Sequence, residues 1–165
     1  MNNYYLIGMP GCGKSSVGRS IADACASEFV DLDSYIETLE KMSIPKMFDI
    51  GEDYFRCAET RALECVGKMS GAIVATGGGI IVKDENIRLM KQSGTVIFID
   101  AEPDFILQKS SLDGRPLLAD KQRIFDLYKV RRTLYEKAAD VTFENSGTFG
   151  DLCDNIIFYV KNGQK

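Results

Sequence analysis

The sequence predicts a three-layer α/β fold, in which a central, mainly parallel five-stranded sheet is flanked by helices. Short apolar runs rich in β-branched and aromatic residues alternate with longer amphipathic stretches. A glycine-rich turn follows the first apolar run directly. Alternation of strand and helix is typical of βαβ units, whose crossover helices cover both faces of a parallel sheet.

The apolar runs are too short for helices, and several end in glycine or aspartate. They predict strands at 4–8, 29–33, 72–79, 95–100 and 140–143. The stretches between them predict helices at 14–27, 33–41, 51–68, 84–92, 102–110, 123–138 and 148–161. Two segments fit this alternation less well: residues 33–60 insert extra helical material, and residues 111–122 form a polar, Gly-Pro-containing excursion typical of a mobile loop.

Length and composition indicate one domain over residues 1–165 with an ordinary hydrophobic core, because 45% of the 165 residues are hydrophobic. The net charge of −4 argues against nucleic acid as a partner. No apolar run approaches the roughly 20 residues that span a bilayer, and the N-terminus does not read as a targeting segment. We therefore expect a cytoplasmic monomer with no membrane partner.

Cysteine and histidine usage narrows the chemistry. The five cysteines are odd in number, scattered and without a CxxC pair, which suits a reducing compartment. The chain has no histidine, which excludes Ser-His and Cys-His catalytic pairs and most zinc chemistry. A general base must then be Asp, Glu, Lys, Tyr or Cys.

The glycine-rich turn, GMPGCGKS, matches the phosphate-binding pattern G-x-x-x-x-G-K-[ST] over residues 8–15 and lies between a strand and a helix. Glycines let successive backbone N–H groups point inward at the positive end of the helix, which forms an anion site. Lys14 would reach the β and γ phosphates, and the Ser15 hydroxyl would bind Mg²⁺. A strand-to-helix turn without a ligand is the alternative. The expected ATP contacts are Gly11, Cys12, Gly13, Lys14, Ser15 and Ser16.

Two carboxylates lie where the second predicted strand ends. Asp31 and Asp33 are two residues apart, so in an extended segment both would point to the same side, towards the ligand crevice of a parallel sheet. One would support the Mg²⁺ shell, and the other would accept a proton from an attacking hydroxyl. The alternative is that Asp33 caps a helix beginning at Ser34.

Three consecutive glycines, residues 77–79, follow the third predicted strand. They cost backbone entropy without adding packing, which favours a close approach of ligand or backbone over a simple tight turn. Thr76 stands where many P-loop proteins have an acidic metal ligand. Four arginines supply forks suited to carboxylate or phosphate: Arg56, Arg115, Arg131 and Arg132.

Six segments, in this order and spacing, resemble the shikimate kinases, small enzymes of the P-loop kinase fold. They are GMPGCGKSSVGR, DLDSYIE, GEDYFRCAE, GGG, RPLL and RRTLYEKAAD. The resemblance covers nearly the whole chain. It implies transfer of the ATP γ-phosphate to the 3-hydroxyl of shikimate, on the route to chorismate and the aromatic amino acids.

The resemblance also implies roles for individual residues. Asp33 would bind the shikimate hydroxyls and act as the base, Lys14 would be catalytic at the phosphates, and Asp31 would help Ser15 to position Mg²⁺. Arg115, from a lid at about 111–122, would close over the transferred phosphate and contact ATP.

The substrate-binding residues implied by the resemblance are Asp33, Arg56, Gly77, Gly78, Gly79 and Arg131, with Glu59 orienting Arg56. The two arginines would clamp the substrate carboxylate.

The chain departs from the family pattern at two points. The family usually has proline in R-x-P-L-Y, whereas this chain has RRTLY, so Arg131 is the expected carboxylate anchor and Arg132 an alternative. The lid segment lacks the arginine that often stacks on adenine, and Lys109 or Gln108 would replace it. Two rival functions remain: a P-loop kinase for another polyhydroxylated acid such as gluconate, and a nucleotide-binding module without catalysis.

Overall fold

A computed structural model of the chain describes residues 2–112 and 121–163 and contains one five-stranded sheet. The strands are β1 (Asn3–Ile7), β2 (Phe29–Asp31), β3 (Ile73–Ala75), β4 (Gly94–Asp100) and β5 (Val141–Glu144). Their order across the sheet is β2-β3-β1-β4-β5, and every neighbouring pair is parallel. The predicted fold class is confirmed.

Eight α-helices and one 3₁₀ turn lie in the described ranges. They are α1 (Lys14–Cys25), α2 (Leu32–Glu40), α3 (Ile44–Ile50), α4 (Glu52–Val66), the 3₁₀ turn (Ile80–Val82), α5 (Asp84–Ser93), α6 (Pro103–Leu112), α7 (Lys121–Ala138) and α8 (Phe149–Asn162). The sequence did not predict α3 as a separate helix. Pro45 lies in its first turn, where the missing N–H costs no hydrogen bond.

The core is built around the central strand. Every residue of β1 is buried, as is most of β4, because helices cover both faces of the sheet. At the amino end of β1 the Asn3 side chain donates to the Val66 carbonyl at 3.2 Å and accepts from the Ala72 N–H at 3.0 Å. This buried amide connects β1 to the end of α4 and to the residue that precedes β3.

The carboxyl ends of the strands form the edge that holds the candidate site. From β1 the chain first builds β2 and β3 on one side and then β4 and β5 on the other, so the strand order reverses next to β1. Ligands of open parallel sheets bind in the crevice at such a point. The first strand-to-helix turn opens directly onto this crevice.

The second strand ends earlier than predicted. It stops at Asp31, and α2 begins at Leu32, so residues 31–33 are not one extended segment. The predicted same-side alternation of Asp31 and Asp33 is therefore wrong. The alternative cap is also wrong, because Asp31, not Asp33, caps α2 by accepting from the Ser34 N–H at 3.3 Å.

Candidate active site

The turn between β1 and α1 has the backbone of a phosphate-binding loop. Gly8, Gly11 and Gly13 all have positive φ values, of 148°, 81° and 99°. A Cβ on Gly8 would lie 2.5 Å from the Ile99 carbonyl oxygen, so the loop is held tightly against β4. Residues that carry a Cβ atom rarely adopt such φ values, which explains why glycine is needed here.

Lys14 begins α1 beneath this loop. Its side chain is buried, and its Nζ donates to the carbonyls of Gly8 and Met9 at 2.9 Å and 2.8 Å. The Cys12 Sγ lies 3.7 Å from the same Nζ. These contacts hold the ammonium group within the loop, where anionic oxygens would meet it.

The two predicted metal ligands lie together. The Ser15 hydroxyl donates to Asp31 Oδ2 at 2.9 Å, while Asp31 Oδ1 caps α2. One carboxylate therefore connects the first turn of α1 to the first turn of α2. Both groups supply the hard oxygen donors that Mg²⁺ prefers.

Asp33 lies in the first turn of α2 and is half-buried. Burial raises the pKa of its carboxyl group, the charges of Asp31 and Glu37 raise it further, and Lys14 opposes them. A carboxylate with a raised pKa is a better proton acceptor.

None of the glycines 77–79 has a positive φ, so the backbone conformation does not require glycine at these positions. The close neighbours of the three residues do. A Cβ on Gly77 would lie 2.9 Å from Asp33 Oδ1, one on Gly78 would lie 2.8 Å from Pro10 Cδ, and one on Gly79 would lie 2.7 Å from Arg56 Nη1. Each glycine thus admits a different neighbour. The sequence predicted a close approach of ligand or backbone, whereas the nearest groups are side chains of Asp33, Pro10 and Arg56. The 3₁₀ turn that follows also makes the segment a tight turn.

Gly78 is fixed from its other side as well. Its carbonyl accepts hydrogen bonds from Arg131 Nη1 at 3.1 Å and from the Tyr135 hydroxyl at 2.5 Å. Burial raises the pKa of Tyr135, so this phenol stays protonated and donates. The glycine triplet therefore cannot move away from Pro10 without losing these hydrogen bonds.

Changing Gly78→Ala should lower the free energy of unfolding by about 1–3 kcal/mol, the usual cost of overpacking. The new methyl group would press on a proline ring, which cannot rotate away. Chemical denaturation measures the effect. Gly150→Ala is the matched control, because Gly150 lies in α8 and its nearest neighbour would be 3.9 Å from the added Cβ. Equal stability of the two variants would contradict the assignment.

Arg56 projects from α4 towards the same loop. Its Nη1 donates to Glu59 Oε2 at 2.7 Å and to the Gly79 carbonyl at 3.4 Å, and its Nη2 pairs with Glu52 at 3.1 Å. Glu59 is only 1% exposed. Burial raises the pKa of Glu59 and the Arg56 charge opposes this rise, so the guanidinium is held by a carboxylate that water does not reach.

The two neighbouring arginines of α7 point to different places. Arg131 bonds to Gly78, whereas Arg132 pairs with Asp100 and Glu136, both at 3.2 Å. Arg131 and Arg56 thus contact consecutive carbonyls of the glycine loop. The geometry brings Arg131, not Arg132, to the glycine triplet.

A cavity of about 290 Å³ opens at the ends of β4 and β5, beside the phosphate-binding loop. Phe105 and Gln108 of α6 line it, together with Asn145 after β5. The Lys109 amine instead lies 4.9 Å from the centre of the Phe105 ring. Arg115 and most of the predicted lid lie outside the described residues.

Sequence reasoning missed three contributors: Pro10, which packs on Gly78; Tyr135, which fixes that glycine; and Asn145, which bonds to the phosphate-binding loop. The loop motif and RRTLY contain the first two, but neither pattern indicates their partner. The Thr76 hydroxyl is not placed as a metal ligand, because it donates to the Leu6 carbonyl at 2.9 Å.

Comparison with known proteins identifies the family. The family model described as shikimate kinase matches residues 10–160. A shikimate kinase of Clostridium botulinum (strain Alaska E43 / Type E3) is 40% identical over 156 residues, which cover 94% of each chain. One of Clostridium beijerinckii is 37% identical over 156 residues, covering 94% of this chain and 92% of the relative.

Similarity to solved structures supports the same family. Shikimate kinase from Acinetobacter baumannii in complex with shikimate superposes with a TM-score of 0.87 at 36% identity, covering all of this chain and 95% of the other. A gluconokinase from Sinorhizobium meliloti reaches a TM-score of 0.62 at 14% identity, covering 98% of this chain and 92% of the other, and so shares the fold alone. The chain with its phosphate-binding loop, glycine triplet and paired arginines therefore belongs to the shikimate kinase family of ATP-dependent kinases.

Proposed function

We propose that this chain transfers the γ-phosphoryl group of ATP to the 3-hydroxyl of shikimate and releases ADP and shikimate 3-phosphate. One observation carries the proposal: the glycine triplet, residues 77–79, lies against Asp33, two guanidinium groups and Pro10 of the phosphate-binding loop. A base, a carboxylate clamp and a phosphate cradle thus converge on one crevice.

The acceptor would be held by its charge and by its hydroxyls. Arg56 and Arg131 would bind the carboxylate, and Gly77, Gly78 and Gly79 would offer close backbone groups to the ring. Glu59 supports this arrangement because it fixes one guanidinium from within the core. A clamp that is rigid before binding loses less entropy when the substrate enters.

The phosphoryl donor would be bound by the loop amides of residues 11–16 and by Lys14. We infer that the nucleotide base extends into the cavity beside Phe105 and Gln108, because Asn145, which lines this cavity, also bonds to Cys12 of the phosphate-binding loop. Arg115 would contribute a positive charge to the transferred phosphate.

Ser15 and Asp31 fit a role as Mg²⁺ ligands, since they present oxygen donors 2.9 Å apart beside the phosphate cradle. The described residues contain no cluster of three or more His, Cys, Asp or Glu that would hold a metal ion without substrate. Mg²⁺ typically uses one or two protein ligands together with substrate phosphates, so this sparse set is compatible with it. When bound, the ion would neutralise charge on the phosphate oxygens.

Asp33 would accept the proton of the 3-hydroxyl as the new P–O bond forms and the bond to the ADP oxygen breaks. Lys14 would stabilise the charge that spreads over the phosphate oxygens. Little covalent chemistry is required of the protein, because in-line positioning supplies much of the rate.

The pH profile of kcat/KM should fall on its acid side at a pH above the ordinary range of an aspartate. The raised pKa of Asp33 means that the carboxyl group keeps its proton to a higher pH, so the active base is lost sooner as the pH decreases. Glu37→Gln should move this limb to lower pH, because it removes one of the charges that raise the pKa and retains an acceptor for the Ile44 N–H. A wild-type limb at the ordinary aspartate pKa would contradict the assignment.

An assay coupled to ADP release tests the function, with shikimate, gluconate and AMP offered separately. Shikimate should give the highest kcat/KM. A higher value with gluconate would favour the rival kinase, and ADP or ATP binding without turnover on any acceptor would favour a binding module.

Two observations bear on the compartment in which the protein acts. In the described ranges, no helix combines the length and apolar character that a membrane span requires. All five cysteines are free. We infer from the unpaired thiols that the chain acts in the reducing cytoplasm, and we propose that it does so as a monomer.

A further inference from the structure

Asn145 differs from the other buried asparagines of the described residues. Asn3 uses both ends of its amide, and so does Asn86, which donates to the Ile80 carbonyl and accepts from the Thr60 hydroxyl. Asn145, only 2% exposed, donates from Nδ2 to the Cys12 carbonyl at 2.9 Å, but its Oδ1 has no partner within residues 2–112 and 121–163. A buried acceptor without a partner costs free energy. Stability alone therefore does not explain this side chain.

The orientation of the amide is fixed by its one partner. A backbone carbonyl only accepts hydrogen bonds, so the NH₂ end must face Cys12 and the oxygen must face away. The backbone of Asn145 is itself anchored, because its N–H donates to the Asp100 carbonyl at 2.7 Å. The side chain thus reaches the phosphate-binding loop from a fixed point where β4 and β5 end.

This contact governs the direction of a loop amide. Across a planar trans peptide the carbonyl and the next N–H point in opposite directions. Holding the Cys12 carbonyl towards β5 therefore aims the Gly13 N–H away from β5. In the phosphate-binding pattern this N–H belongs to the amides that point into the anion cradle.

The loop needs such an external restraint because its own residues permit other orientations. Gly13 has φ 99° and Gly11 has φ 81°, and glycine passes readily between positive and negative φ. The Asn145 Nδ2 lies 3.6 Å from where a Gly13 Cβ would be, so the amide rests directly against this flexible peptide.

We propose that Asn145 is a positioning residue for ATP: it orients the Cys12–Gly13 peptide so that the Gly13 N–H faces the phosphates. The proposal rests on the proposed function, which makes ATP the phosphoryl donor. It adds a role for the end of β5 that the sequence motifs do not indicate.

The test compares Asn145→Ser and Asn145→Asp with Asn3→Ser. The affinity for ADP is measured by calorimetric titration, and KM is measured separately for ATP and shikimate. Asn3 is the matched control, because it is equally buried and also donates to a backbone carbonyl, but at the amino end of the sheet. Melting temperatures report the structural cost of each change.

Asn145→Ser should weaken ADP binding about fivefold to tenfold, the value of one lost hydrogen bond, and raise KM for ATP while KM for shikimate stays within about twofold. Asn145→Asp should weaken it more, because its carboxylate repels the Cys12 carbonyl. Asn3→Ser should lower the melting temperature and leave ADP affinity unchanged.

ADP affinities of the Asn145 variants equal to wild type would overturn the inference, as would an equal loss in Asn3→Ser. Wild-type protein that binds no ADP would instead overturn the proposed function at its donor site.

Discussion

Asp33→Asn should lower kcat by about two to three orders of magnitude, because a positioned general base contributes typically 10²–10⁴ in rate. Asparagine has almost the same shape, so it keeps the contact with Gly77 while losing the ability to accept the hydroxyl proton. Steady-state turnover measures the effect. Affinity for ADP should be unchanged, since no phosphate contact is altered.

Asp49→Asn is the control for this change. Asp49 is an exposed carboxylate on the neighbouring helix α3, and its replacement changes the net charge by the same amount. Turnover should stay near the wild-type value. A decrease of less than tenfold in Asp33→Asn, with ADP binding intact, would remove Asp33 from the role of base.

Arg131→Ala should raise KM for shikimate by roughly two orders of magnitude and change kcat much less. Removing one partner of a buried charged pair costs about 2–5 kcal/mol, and a contact made equally in the ground and transition states affects KM. Tyr135 still bonds to Gly78 in this variant, so the glycine loop stays in place. Initial rates at varied shikimate concentration measure the change.

Arg132→Ala supplies the matched comparison one residue away. Its side chain is 46% exposed and pairs with Asp100 and Glu136, so KM for shikimate should stay within about twofold. The reverse pattern, a sharp rise in Arg132→Ala and none in Arg131→Ala, would assign the carboxylate anchor to Arg132.

The sequence by itself determines those parts of the site whose residues are adjacent in the chain. The phosphate-binding loop was predictable because its chemistry is local: a turn, a helix terminus and a lysine are consecutive in the chain. The parallel sheet was predictable for the same reason, since each βα unit carries its own periodicity.

Contacts between distant segments were not predictable. The end of β2 was misjudged because VDLD fits strand alternation, and only the Asp31 cap shows that the helix has already begun. The choice between Arg131 and Arg132 as carboxylate anchor was equally ambiguous, because it depends on their contacts with Gly78 and Asp100 in other parts of the chain. Packing of Pro10 on Gly78 has no sequence signal at all.

The central position of β1 also has a consequence for biosynthesis. Tyr5 pairs with Val74 on one side and with Val96 on the other, so β1 leaves the ribosome before either of the strands with which it pairs. At about 5–20 residues per second, it waits several seconds for β3 and longer for β4. A nascent chain therefore exposes the apolar segment Asn3–Ile7 during this interval, and chaperones that recognise such segments have time to bind it.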